Sequence, residues 1–204
     1  MLFKELKNIL QIKKILKKIL IMRYMATIKL QDFKIGFSDQ FFFDTNIWLL
    51  LFGTVADFQS KDQKVYSKLL EELIIKDKPI YISSTVISEY ANVLLRRDYD
   101  QWISIKKMVN AKFKVDFVGS EAYKNSVDVI TKSINKILKL PNIQPVSDSF
   151  HCINVNNIIE NLKIVDFNDS YMLELSTLNN YKIVTNDKDF QKINTKIDII
   201  TSQI

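Results

Sequence analysis

The stretch Phe41-Phe42-Phe43-Asp44-Thr45-Asn46-Ile47-Trp48 constrains the chain more than any other. Three consecutive aromatic residues are too apolar for a loop and too few for a helix, so they read as a buried strand that stops at a carboxylate. Thr45 and Asn46 are good N-cap residues for the apolar run 47–52, which makes the step strand, acid, helix. In open α/β sheets ligands bind at the carboxyl ends of the strands. Asp44 is therefore expected at a sheet edge that carries a site.

The same grammar recurs downstream. Residues 61–76 place Val65, Leu69, Leu70, Leu73 and Ile74 at helical spacing, and Pro79 leads into a short apolar strand, 80–82. A strand-helix-strand unit implies parallel pairing with a right-handed crossover. Ser83, Ser84 and Thr85 offer caps for a helix ending near Arg96-Arg97, with Glu89 in its first two turns. Residues 99–112 and 121–140 read as two further helices, 113–118 as a strand or extended connector, and 150–162 as a helix. Pro141 and Pro145 bracket a loop. Asp166-Phe167-Asn168-Asp169 opens a helix that ends at Asn179-Asn180, with Asn168 or Asp166 as its N-cap. Residues 181–185 form a strand stopping at Asn186-Asp187, and 197–201 can supply the last one. The expected fold is α/β, with a central parallel sheet flanked by helices.

Four acids, Asp44, Glu89, Asp169 and Asp187, thus fall at strand ends or helix starts, positions that parallel topology puts on one edge. Two carboxylates about 5 Å apart repel by roughly 3 kcal/mol at an effective dielectric of about 20. Such a cluster needs a cation or must take up protons. Oxygen ligands without histidine or cysteine suit Mg²⁺ or Mn²⁺, and the natural chemistry is metal-assisted phosphodiester hydrolysis. Taken singly, each acid has an ordinary explanation: Asp44 or Asp169 as a cap, Asp187 in an Asx-turn, Glu89 paired with a lysine. Their joint placement favours the site.

Composition removes other chemistries. The lone histidine, His151, excludes catalysis by a histidine pair, and the lone cysteine, Cys152, excludes a disulfide framework or a multi-cysteine zinc site. Both read as packing residues. Three isolated glycines, Gly36, Gly53 and Gly119, exclude a P-loop and a dinucleotide fingerprint. A reducing compartment, and hence a cytoplasmic location, is the simplest expectation.

The net charge of +6 resides in the first 24 residues. These hold seven basic groups and one acidic, leaving 22 of the 29 basic and 22 of the 23 acidic groups for a neutral body. Residues 2–22 put Leu2, Leu6, Ile9, Ile12, Leu16, Ile19 and Leu20 broadly on one helical face with lysines opposite, a basic amphipathic helix. It is too charged to span a bilayer. Three readings stay open for this extension, 1–24: a helix packed on the body or a partner, a membrane-surface helix over residues 1–22, or translated sequence upstream of a start at Met25. Residues 25–40 read as a connector and 41–204 as one domain. Arg96 and Arg97 can track an RNA backbone, with Tyr99 and Trp102 available for stacking; the alternative is a solvated helical face with core-facing aromatics.

Phe43-Asp44-Thr45-Asn46-Ile47-Trp48, Ser88-Glu89-Tyr90, Asp166-Phe167-Asn168-Asp169 and Val184-Thr185-Asn186-Asp187-Lys188-Asp189-Phe190, in this order, resemble the PIN-domain nucleases, especially the VapC-like toxin ribonucleases of type II toxin-antitoxin pairs. The resemblance implies a PIN-like three-layer fold with a central parallel sheet and a Mg²⁺ or Mn²⁺ site. The implied activity is endonucleolytic cleavage of RNA, restrained by a small antitoxin protein. Position by position, Asp44, Glu89, Asp169 and Asp187 resemble the family's acidic site. Asn46 and Thr185 match its orienting polar residues, Asp166 is a supporting acid, and Asp189 is structural. Expected partners are an RNA substrate and an antitoxin; a homodimer stays open, as does the alternative of an inactive PIN-like module that binds RNA or protein.

Overall fold

The computed structural model describes residues 27–53, 60–193 and 195–203. The amphipathic helix expected over residues 2–22 lies outside them. In chain order the elements are strand β1 (Thr27–Lys29), β2 (Phe41–Phe43), helix α1 (Thr45–Phe52), α2 (Ser60–Ile75), β3 (Ile80–Ile82), α3 (Ser84–Lys106), a π-helical turn (Phe113–Phe117) and α4 (Glu121–Leu138). Strand β4 (Ile143–Pro145), a 3₁₀ turn (Phe150–Cys152), α5 (Val155–Asn161), α6 (Phe167–Asn179), β5 (Lys182–Val184), a second 3₁₀ turn (Asp189–Lys192) and β6 (Ile199–Thr201) complete it.

All six strands pair in parallel, in the order β1-β6-β5-β2-β3-β4. β2 is central, with Phe41 opposite Ile80 on one side and Lys182 on the other. Phe41, Phe42 and Phe43 are each fully buried, so both faces of the sheet are covered here, and a continuous aromatic run replaces the alternation of a half-exposed strand. Ile47 and Trp48 continue the core into α1, where the Trp48 ring lies 5.2 Å from that of Phe43.

The chain leaves β2 toward β3 and β4, then returns on the opposite side of β2 through β5 and β6. The strand order reverses between β2 and β5, the crevice in which open α/β sheets bind ligands. Helices that carry the chain back between parallel strands start at the carboxyl edge of the sheet. The N-termini of α1, α2, α3 and α6 therefore gather at that edge.

Several local expectations are corrected. The helix expected to stop near Arg96-Arg97 and the one expected over 99–112 are a single 23-residue helix, α3; no glycine or proline interrupts it. Residues 113–117 form a π turn rather than a strand or extended connector. The loop expected between Pro141 and Pro145 contains β4, an edge strand on which a proline without an N–H is tolerated. Residues 150–162 are a 3₁₀ turn followed by α5, not one helix. The expected connector 25–40 contains β1, which pairs with β6 in parallel. Among the described residues no helix is long and apolar enough to cross a membrane.

Candidate active site

Asp44 occupies the N-cap position of α1, yet its side chain does not cap the helix. Its Oδ2 instead accepts a short hydrogen bond from Asn46 Nδ2 and another from Thr185 Oγ1 at 2.6 Å. Asn46 Nδ2 also lies 3.1 Å from Thr185 Oγ1, and Asn46 Oδ1 accepts the Asn186 amide at 3.0 Å. Carboxylate, amide and hydroxyl thus lock the end of β2 to the end of β5. Thr185 in turn accepts the Asp187 amide at 2.9 Å, and the Asp187 carboxylate accepts the Asp189 amide at 2.8 Å, an Asx-type turn. Asp189 is paired with Lys192 at 2.5 Å.

Glu89 reaches the same edge from α3. Its Oε2 accepts from Thr45 Oγ1 at 3.0 Å and from Asn168 Nδ2 at 3.4 Å, which ties the starts of α1, α3 and α6 together. The lysine partner considered for it from sequence is absent among the described residues. Asp166, not Asn168, caps α6 by accepting the Asp169 amide at 2.9 Å. Asp169, half-buried in the first turn, feels Asp44, Asp166, Asp187 and Glu89 together.

The electrostatics follow from this crowding. Burial pushes the Asp44 carboxyl up to about 7, helped by the Glu89 charge, while Thr185 and the nearby amides of Thr45 and Asn46 act in the other direction. Burial, followed by the charges of Asp44, Asp166, Asp187 and Glu89, pushes Asp169 up to about 8. Glu89 is also raised, chiefly by burial and then by Asp166, with Thr45 and Asn168 opposing. Among the described residues no lysine or arginine forms a salt bridge with Asp44, Glu89, Asp166, Asp169 or Asp187.

A hard divalent cation fits this donor set, because every candidate ligand is a carboxylate oxygen and each ionised acid raises its neighbours. Among the described residues no group of three or more acidic, histidine or cysteine side chains stands close enough together to hold a metal ion. That arrangement suits an ion held by one or two carboxylates together with waters and phosphate oxygens.

The other sequence candidates lie elsewhere. Arg96 sits over the Phe113 ring, 4.5 Å from its centroid, and Arg97 is paired with Asp98 at 2.6 Å. Tyr99 and Trp102 pack with Phe113 and Phe117 rather than offering free ring faces. His151 and Cys152, expected to pack, are exposed on a short 3₁₀ turn. Sequence reasoning missed Thr45 and Asn168, whose adjacency to Asp44 and Asp169 was the available signal. It also missed Tyr66, whose hydroxyl donates to the Thr185 carbonyl at 2.8 Å and accepts the Ser202 amide at 2.9 Å. Nothing in the spacing of Tyr66 marks that role.

Fold and side-chain placement together define a doubly wound α/β protein that gathers carboxylates at its switch point. The chain belongs to the PIN-domain family, a family of nucleases, whose family model matches residues 41–196. The β1–β6 pair lies outside the matched span. Among solved structures the chain is similar to one described as "Crystal structure of VapBC2 from Rickettsia felis bound to a DNA fragment from their promoter", with 18% identity and a TM-score of 0.48 over 78% of this chain and 97% of that one. No significant match was found among curated proteins.

Proposed function

We propose that this protein is a divalent-metal-dependent endoribonuclease that acts in the cytoplasm as the toxin of a type II toxin-antitoxin pair. The observation that carries the reading is the convergence of Asp44, Glu89, Asp169 and Asp187 on one sheet edge with no salt bridge to a lysine or arginine among the described residues. One or two of these four acids would hold Mg²⁺ or Mn²⁺ directly, together with waters and phosphate oxygens, with the others and Asp166 nearby. A divalent ion bound there supplies a water of lowered pKa and neutralises charge that develops on the scissile phosphate.

The chain's own groups do the positioning. Asn46 and Thr185 fix the Asp44 carboxylate, and Thr45 and Asn168 orient Glu89. The N-termini of α1, α3 and α6 turn their positive ends toward the edge, which favours an incoming phosphate. Control by a small antitoxin rests on the family resemblance of the motif set. Expression of this chain alone should arrest growth, Asp44→Asn should not, and co-expression of the antitoxin should relieve the arrest.

Cleavage of a mixed, end-labelled RNA pool in EDTA, Mg²⁺ or Mn²⁺, beside Asp44→Asn prepared identically, tests the reading. Cutting that needs the ion and is lost in the variant is the expected result; equal cutting by both proteins would reject the site.

One observation favours the alternative, a PIN-like module that binds without cutting. Asp44 Oδ2 is already engaged by Asn46 and Thr185, and no closed cage of three ligands stands ready. Calorimetric titration with Mn²⁺ separates the two, because only the enzyme should show binding that disappears with Asp169→Asn.

A further inference from the structure

Asn186 follows Thr185 at the end of β5 and hydrogen-bonds in two directions. Its backbone amide donates to Asn46 Oδ1 at 3.0 Å, on the path to Asp44. Its side chain engages a different set of groups. Oδ1 accepts from Ser202 Oγ at 2.9 Å and from the Tyr66 hydroxyl at 3.1 Å, and Nδ2 donates to Asp62 Oδ2 at 3.4 Å. Asp62, in the first turn of α2, also accepts from Gln203 Nε2 at 3.1 Å and from Ser202 Oγ at 3.3 Å. The Ser202 amide donates to the Tyr66 hydroxyl at 2.9 Å, which closes the clamp around Asn186. Ser202 and Gln203 follow β6 and lie beyond the residues that the family model matches.

The contact with Asn46 gives this clamp its bearing on the site. A carboxamide presents an acceptor at one end and donors at the other. With Oδ1 held by the Asn186 amide, Nδ2 faces Asp44 Oδ2 and Thr185 Oγ1. Turned end for end, Asn46 would set a carbonyl oxygen against the carboxylate and lose the Asn186 bond as well. Asn186 also stands between Thr185, which donates to Asp44, and Asp187, whose amide donates to Thr185. A shift of Asn186 therefore moves a support of Asp44 and a candidate ligand together. Asp62 stands among three neutral donors, so its oxygens are met without an ion.

We propose that Asn186, clamped by Asp62, Tyr66 and Ser202, is a positioning residue that fixes the Asn46 carboxamide and, through it, the Asp44 carboxylate offered to the divalent ion. The proposal rests on the nuclease reading above. Groups one step behind a metal ligand orient it, and losing one lowers metal affinity by about 10- to 100-fold. The segment after β6 is then part of the support of the site although it supplies no candidate ligand.

The test is calorimetric titration of the full-length protein with Mn²⁺ alone, beside urea unfolding of the same preparations in EDTA. Asn186→Ala removes the clamped side chain, keeps the backbone amide, and should weaken Mn²⁺ binding by about 10- to 100-fold. Ser202→Ala should act in the same direction, and Ser202→Thr, which keeps the hydroxyl, should bind within about twofold of the parent. Gln203→Ala removes a bond to Asp62 but none to Asn186, and should also stay within about twofold. Where Asn186→Ala does not fold, the Ser202 pair decides. Mn²⁺ affinity unchanged in Asn186→Ala and Ser202→Ala overturns the proposal, whatever happens to stability. Equal losses of affinity in Asn186→Ala and Gln203→Ala overturn it too, since general loosening would then explain both. Cleavage of the RNA pool in Mg²⁺ separates this proposal from the nuclease reading. Mn²⁺ binding that depends on Asn186, without cutting by the parent, rejects the nuclease and keeps the positioning role. Cutting by the parent with unchanged Mn²⁺ affinity in both alanine variants does the reverse, and a parent that binds no Mn²⁺ overturns both.

Discussion

The acidic edge and the tip of the α3–α4 hairpin use the same ingredients, charges and aromatic rings beside helix ends, to opposite effect. At the tip three cations are met: Arg96 by Phe113, Lys106 by Trp102 at 5.5 Å, and Arg97 by Asp98. The rings of Tyr99, Trp102, Phe113, Phe117 and Tyr123 pack within 5.3–6.3 Å of one another. Packing accounts for these rings and for the three cations beside them. At the acidic edge the hydrogen bonds are made but the charges oppose one another, and two carboxyls are lifted to about 7 and about 8. Folding gains nothing from that conflict, so the reason for it lies outside the fold.

The contrast can be broken most directly by neutralising the conflict. Asp44→Asn or Asp169→Asn should lower metal-dependent cleavage by on the order of 10³-fold or more with the fold intact, read by gel assay and circular dichroism. At the tip the effect should fall on stability instead. Phe117, fully buried among rings, should cost about 3–5 kcal/mol when replaced by alanine, measured by urea unfolding.

The sign of the Asp44 effect on stability sharpens the comparison. Its folded pKa lies above the unfolded value of 3.8, so the folded state holds the proton more tightly. Unfolding free energy in metal-free buffer should therefore fall as pH rises from about 4 to about 7, then level off for this group. Asp44→Asn should stabilise the metal-free protein by on the order of 2 kcal/mol at pH 8 and by much less at pH 4. A destabilised variant at pH 8 would show that the carboxylate is structural. For the same reason Mn²⁺ affinity should rise with pH through the range 7–8, because binding must displace these protons.

Smaller effects test the supports. Tyr66→Phe should lose about 1 kcal/mol of stability, since it removes the bond to the Thr185 carbonyl and leaves the Ser202 amide short of its acceptor. Arg96→Ala should lose about 0.5–1 kcal/mol through the Phe113 contact. A fall in RNA affinity in Arg96→Ala well beyond that would favour backbone tracking by this arginine after all.

Much of the sheet was legible because its strands are local signals. Phe41 to Asp44, Ile80 to Ile82 and Lys182 to Val184 are apolar runs that end at polar residues, and a reader needs no partner to see them. β1 and β4 were not legible. Each is three residues long at a sheet edge, β4 carries a proline, and both become strands only through the neighbours they pair with. The joined α3 was missed because Arg96-Arg97-Asp98 looks like a polar helix end, whereas Tyr99 and Trp102 beyond it pack against the π turn and carry the helix on.

The sequence by itself determined which residues can do chemistry here. The acids at strand ends and helix starts, with no histidine pair, cysteine cluster or glycine-rich loop to compete, follow from the order of residues along the chain. Only the tertiary structure decided what those residues meet. That Thr185 and Asn46 converge on one oxygen of Asp44, that Asn168 reaches Glu89, and that Tyr66 braces Thr185 depends on β5 lying beside β2. Hydrogen bonds and ring faces are satisfied or left open by whatever packing brings alongside, and spacing along a chain does not contain that information.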